Sequence, residues 1–382
     1  MRRSVVLRFA GLAFASLVQA VTYIVLARTL GVAGFGSFSW IFAAGGLLVS
    51  VTGFGFTPRV LRTGEGAEGD RLRSLAVTMR LAMGLSILVA LAVVGAATGV
   101  ATGVVAVALA FVAIDAITDL CQAALAGVRR IGYATVLLIA QRLIVLVAAL
   151  TLMTVWMPWV FGIVAAAVVA VNVASVVRTR PRVGELGATI VANRGYWAAN
   201  LAASISQAEV PLITVFGGAP LAGLYAAGAR AASPVNLLSQ ALLQVATPEL
   251  TRSDKDARLA LFRRTHRVTL WIVAAGVVLA VPAGLVGAWV LGPGFEAAWA
   301  TVAGFVVGGT IMGANQAHQA LLLAVGRPGL SARAVAIGAV TGVAAAAVIA
   351  ATIGVPWLGL VPAIAQGTMY LLFRRAVRSL AA

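Results

Sequence analysis

A charged side chain inside an apolar run is costly to place in hydrocarbon and marks a functional site by default. This sequence has few of them. Arg142 and Arg230 each stand well inside such a run, and Asp115, Asp119 and Glu209 stand in others. A guanidinium stays protonated and grips phosphate oxygens bidentately, so the two arginines suit a phosphate-bearing anion, or pairing with an acid of their own bundle. Asp115 and Asp119 are four residues apart, on one face of a helix, and with Glu209 they are the candidates for a coupling proton or Na+. Gln122, Asn315 and Gln319 supply amides suited to sugar hydroxyls or to interhelical hydrogen bonds, and His318 beside them reads as structural. Arg8 snorkels to the inner surface or adds positive charge to the path, and Arg28 is the one cation of the outer connections. No metal-ligand spacing and no nucleophile with its base appear, so the expectation is no metal, no cofactor and no enzyme.

The elements that must position these groups follow from composition. Hydrophobic residues make up 62% of the 382, charged residues 10%, and the mean hydropathy is +1.03. A soluble domain carries about 25% charged residues, so this is an all-α integral membrane protein. A span takes about 20 apolar residues. The runs read as about twelve transmembrane helices, near 5–27, 36–57, 78–98, 103–126, 134–155 and 158–177, then 196–216, 221–245, 268–291, 298–324, 331–353 and 355–373. Arg142 lies about 12 Å from the cytoplasmic end of the fifth, near mid-membrane.

Connections after even-numbered spans carry the cations: Arg59, Arg62, Arg71, Arg73 and Arg80; Arg129 and Arg130; Arg178, Arg180, Arg182 and Arg194; Arg252 to Arg267; Arg327 and Arg333; Arg374, Arg375 and Arg378. This bias explains the net charge of +17 before any nucleic acid does, and it places both termini in the cytoplasm of a multi-pass cell (inner) membrane protein. The basic loop 249–267 reads as solvated and attracted to anionic membrane lipids, or as a short interfacial helix through Leu259, Leu261 and Phe262. The N-terminus imitates a signal peptide and reads as an uncleaved first span. Cys121 reads as a packing residue.

The chain also repeats itself. Gly31, Gly36 and Phe38 match Gly218, Gly223 and Tyr225 at a constant spacing of 187, and Thr57-Pro58 is echoed by Thr247-Pro248. Gln122, Ala123, Leu125, Arg130 and Gly132 match Gln319, Ala320, Leu322, Arg327 and Gly329 at 197. The reading is two parallel-repeat six-helix bundles, 1–185 and 190–382.

On these residues the chain resembles the oligosaccharide flippases (polysaccharide biosynthesis membrane proteins) of the multidrug/oligosaccharidyl-lipid/polysaccharide exporter superfamily. The resemblance rests on Ala27-Arg28-Thr-Leu-Gly31-Val-Ala-Gly34-Phe-Gly36-Ser-Phe38 and on Glu209 through Gly218 and Gly223 to Tyr225. Relatives commonly have Pro, Tyr and Asp where this chain has Val32, Phe35 and Glu209. The resemblance implies a central V-shaped cavity between the bundles and alternating-access movement of a polyprenyl-diphosphate-linked oligosaccharide from the inner to the outer leaflet. A cation-coupled multidrug-type exporter of the same superfamily is the alternative. A membrane-embedded glycan polymerase or glycosyltransferase is a second, opposed by the lack of a long outer loop. A monomer is expected, with a lipid-linked saccharide and membrane lipids as partners and no nucleic acid.

Overall fold

The computed structural model of the protein describes residues 2–63, 65–177, 179, 184, 186–233, 235, 250 and 254–378, without the side chains of 2–9, 199 and 255. Among the described residues every regular element is helical, and ten helices are long and apolar enough to cross a membrane. They are α1 (Arg2–Val51), α2 (Phe56–Arg62), α3 (Ala67–Ala97), α4 (Thr102–Gly127), α5 (Ile131–Thr154), α6 (Trp159–Val176), α7 (Leu186–Ala192), α8 (Arg194–Ser204), α9 (Glu209–Ala231), α10 (Lys255–Leu291), α11 (Trp299–Ala324), α12 (Pro328–Thr352) and α13 (Leu360–Arg378), of which α2 and α7 are short. The body of the eighth expected span, Thr247-Pro248, Arg178, Arg180, Arg182, Arg252 and the side chain of Arg8 lie outside the described residues.

Among the described residues the ten spanning helices are fewer than the twelve expected spans, because the body of the eighth lies outside them and because two pairs of expected spans run together at glycine breaks. The apolar segment Ala10–Val51 runs to 42 residues, about twice what one crossing needs, and Gly31 breaks it with φ 65°, ψ 177°. Gly218 breaks α9 with φ 79°, ψ 171°. Both lie in a region of backbone space essentially reserved for glycine, and both begin the shared pattern read from the sequence. The correspondence extends to packing. A methyl group added at Gly36 would strike the carbonyl of Ala219, and one added at Gly223 would strike the carbonyl of Val32. Each contact maps onto the other by the same shift of 187 residues.

The chain forms two compact units: residues Met1–Leu30 with Ser37–Pro211, and residues Gly31–Gly36 with Leu212–Ala382. In the first, α1, α4 and α6 pack through an aromatic cluster in which Phe38 meets Phe111 edge-on at 5.3 Å and Phe111 meets Phe161 at 5.7 Å. A second core of Phe56, Val60, Leu75, Leu120, Cys121 and Ala134 closes the cation-bearing end. Cys121 is buried there as packing. At that end Arg59 donates to Asn193 Oδ1 (2.8 Å) and Trp197 Nε1 to the carbonyl of Val51 (2.8 Å), so α2 holds α8 against the first unit. In the second unit Tyr225 takes the position of Phe38 in the repeat and packs on Phe305 at 5.1 Å. Backbones approach closely: Gly304 lies on the carbonyl of Gly359, and Gly359 on that of Ala300. Such contacts replace the hydrophobic drive that helices lack in lipid.

Two cationic stretches that read as loops are helical. α3 begins at Ala67, eleven residues before its expected span, and α10 begins at Lys255 and runs unbroken for 37 residues. Asp254 caps α10 by accepting from the Ala257 N–H at 2.8 Å. The region 255–267 is therefore no separate interfacial helix. Its Phe262 is buried against Leu250, Ala320 and Leu321 rather than in lipid, because α10 and α11 meet along this end.

Candidate functional site

The deepest charges of the first unit meet. Arg142, near the midpoint of α5, donates from Nη1 to Asp115 Oδ1 of α4 at 2.8 Å, with 13% and 29% of the two side chains exposed. Asp119 lies one turn along α4 and its side chain is exposed. Arg80, from α3, comes within electrostatic reach of Asp119 and donates to the carbonyl of Val49 (3.0 Å) and to Thr57 Oγ1 (3.3 Å). Tyr23, which accepts from Gln19 Nε2 at 3.1 Å, borders Arg142. The result is two guanidiniums facing two carboxylates, and among the described residues the pairing leaves most of the five N–H donors of Arg142 without a protein acceptor.

By sequence Arg80 is a loop cation, and its place here comes from the early start of α3. Tyr23 and Gln19 escape sequence reasoning because a single aromatic or amide in a span carries no periodic signal.

A buried polar chain holds this site from behind. Gln141, next to Arg142, donates to Thr118 Oγ1 (2.9 Å), and Asn172 of α6 donates to Gln141 Oε1 (3.3 Å) and to the carbonyl of Val168 (2.8 Å). All three side chains are buried, so α4, α5 and α6 are tied together just beside the ion pair. Gln141→Leu removes the shared link and strands the partners. We expect a loss of about 1–3 kcal/mol, read as a lower unfolding midpoint in detergent, with the transport rate per folded molecule unchanged. Gln122 of α4 is buried and donates to the carbonyl of Ala134 at 2.8 Å.

The other expected residues are placed elsewhere. Glu209 opens α9 after a 3-10 turn at Ile205–Ala208, where a carboxylate is favoured by the helix dipole, and is half-buried. Arg28 is exposed near the Gly31 break. In the second unit Arg230 is half-buried near the end of α9. Asn315 donates to both the carbonyl and Oε1 of Gln366 at 2.9 Å, and Gln319 is half-buried on the same helix. His318 donates from Nδ1 to the carbonyl of Ala314 (2.8 Å) and meets His266 edge-on at 4.6 Å, beside Tyr370 and Phe262. His266 and Tyr370 carry no signal in the sequence, since the first sits in a basic run and the second near a terminus. A polar cavity of about 210 Å³ lies at the cation-bearing end of the first unit, lined by Glu65, Asp70, Arg73, Arg130 and Ser175. Its Arg73 is tied to Asp70 at 2.7 Å, and it does not reach the Arg142 pair.

This multi-helix architecture is a fold shared with MATE transporters and with MurJ. The lipid II flippase MurJ in an inward closed conformation aligns over 98% of this chain and 87% of its own, with a TM-score of 0.70 at 11% identity. An inward-facing multidrug resistance MATE family transporter of the MOP superfamily aligns over 96% and 95%, with a TM-score of 0.63 at 14% identity. The MATE multidrug transporter DinF-BH aligns over 99% and 94%, with a TM-score of 0.62 at 13% identity. In sequence, residues 2–180, just under half of the chain, match a family model described as polysaccharide biosynthesis protein. The resemblance carried by the glycine hairpin is thus borne out. No curated protein sequence matches the chain significantly.

Proposed function

We propose that the protein is a flippase that moves a polyprenyl-diphosphate-linked saccharide from the inner to the outer leaflet of the cell membrane. It works by alternating access, as a monomer with both termini in the cytoplasm. The observation that carries this reading is the match of residues 2–180 to the polysaccharide biosynthesis protein family. The likeness to a lipid II flippase, whose cargo is a lipid, supports it. The charged cluster supplies a mechanism. With both acids ionised, Arg80, Arg142, Asp115 and Asp119 balance to zero. A proton taken up by the exposed Asp119 leaves a net charge of +1, which favours a diphosphate on the donors of Arg142 that Asp115 does not occupy. Loss of the proton restores the balance and releases the anion, so proton movement and headgroup movement are coupled.

Arg230, in the second unit, is the second phosphate contact, with Arg28 and Arg8 as flanking cations. Gln122, Gln319 and Asn315 are the saccharide contacts, and Glu209 is the further ion candidate. In this reading the chain is built of two six-helix repeats, roughly 1–185 and 190–382. A second reading, cation-coupled export of a small organic molecule, is favoured by the pair of acids one turn apart on α4 and by the MATE likeness. Reconstituted vesicles separate the two. The flippase reading expects a labelled lipid-linked saccharide to change leaflet and a small organic cation to stay; the exporter reading expects the reverse.

A further inference from the structure

α10 is longer than a membrane is thick: 37 residues make about 55 Å against about 30 Å of hydrocarbon. Its exposed side chains mark the stretch suited by composition to the bilayer. Trp271 is 72% exposed, Val278 75% and Trp289 79%, and Leu285 also points outward. These positions follow a helical spacing, so they form one stripe, and the two indoles stand about 27 Å apart along it. A largely exposed apolar stripe closed at each end by tryptophan has the composition of a lipid-facing surface with an interfacial anchor at both boundaries.

The stripe continues past Trp271 as arginine. Arg267 and Arg264 lie four and seven residues before Trp271, on the same face, and Arg263 flanks them; all three are exposed. Among the described residues none of the three has a hydrogen-bond or ion-pair partner in the protein. The three guanidiniums therefore stand about one to two turns beyond the indole, which is where lipid phosphates lie if Trp271 marks the interface. Helical neighbours of this kind are about 5–6 Å apart, close enough for two guanidiniums to share one phosphate. The helix is fixed in place there, since Phe262 of the same segment packs on Leu250, Ala320 and Leu321.

We propose that the outer face of α10, Arg263, Arg264 and Arg267 above Trp271, is a binding site for the phosphate of an anionic phospholipid. The acyl chains lie along Val278 and Leu285. Charge complementarity at a fixed depth, continuous with an apolar face, selects a lipid rather than a free phosphate or an acidic protein. The site is separate from the transport residues, so it stands whether or not the cargo is a lipid-linked saccharide.

The test uses the full-length protein in detergent, titrated with phosphatidylglycerol or with phosphatidylcholine, and lipid retention is counted by native mass spectrometry. The wild type is expected to retain phosphatidylglycerol over phosphatidylcholine and to gain thermal stability from it. The triple variant R263Q/R264Q/R267Q is expected to bind phosphatidylglycerol about tenfold more weakly, while R375Q, a cationic position off the stripe, binds as the wild type does. Equal retention of both lipids, equal binding by the triple variant, or competition by inorganic phosphate at equal concentration overturns the proposal. If the triple variant unfolds, the charge-keeping R263K/R264K/R267K and the wedge variant W271A are measured instead. The lysine variant is then expected to keep the preference and W271A to weaken it, and the opposite order is contradictory.

Discussion

Asp115→Ala is expected to lower stability by about 3–5 kcal/mol and to abolish transport, because it leaves the guanidinium of Arg142 buried without its counter-charge. Neither partner is more than a third exposed, so water screens the pair little. Arg142→Gln is expected to be milder in stability, since Asp115 is the more exposed member and regains water. The informative molecule is the double variant Asp115→Asn with Arg142→Gln. With both charges gone the burial penalty is gone too, and folding is expected to return near that of the wild type. Transport is expected to remain lower by about tenfold or more, the cost of one charge-assisted hydrogen bond of about 1.5–3 kcal/mol to the headgroup. Unfolding midpoints and translocation rates of the three variants check this. A double variant that folds and transports as the wild type does reduces the pair to a structural link.

The reciprocal glycine contact gives the second large effect. Gly36→Val and Gly223→Val each drive a side chain into a backbone carbonyl, of Ala219 and Val32 respectively, and a backbone cannot rotate aside as a side chain can. Each is expected to cost about 3 kcal/mol or more, the upper end of overpacking, and to reduce the folded yield in detergent. Because the two contacts are images of one another, their costs are expected to be equal within error. Gly31→Ala and Gly218→Ala probe a different term. At Gly31 an added methyl group meets nothing, so only its positive φ is strained, at about 1–3 kcal/mol. The order Gly36→Val above Gly31→Ala in a thermal unfolding series checks the account of the hairpin.

Much of this was legible in the sequence, for identifiable reasons. Spans such as 103–126 and 298–324 agree with α4 and α11 to within about a residue, because a hydrocarbon-length apolar run bounded by polar residues has one solution in lipid. The glycine register at a spacing of 187 was visible too, and its conformational meaning followed once φ and ψ were known. The early starts of α3 and α10 were hidden because a cationic stretch reads as a loop, although 255–267 is rich in Ala, Leu and Arg and is preceded by Asp254 as a cap. Side-chain partners were hidden for a different reason. Arg142 had Asp115, Asp119 and Glu209 to choose from, and sequence spacing cannot rank partners on different helices. Arg80, Gln141 and Asn172 enter the site only through the packing of α3, α5 and α6 on α4.

We propose a lipid-linked saccharide as the cargo, with its phosphate held by Arg142. The most direct measurement is the rate at which a fluorescent polyprenyl-diphosphate-linked saccharide, loaded into one leaflet of vesicles holding the purified protein, becomes accessible to a quencher on the other side. The wild-type rate is expected to be well above that of protein-free vesicles, and that of the folded Asp115→Asn, Arg142→Gln double variant to be lower by about tenfold or more. A wild-type rate no greater than that of protein-free vesicles, with a small organic cation exported instead, would contradict it.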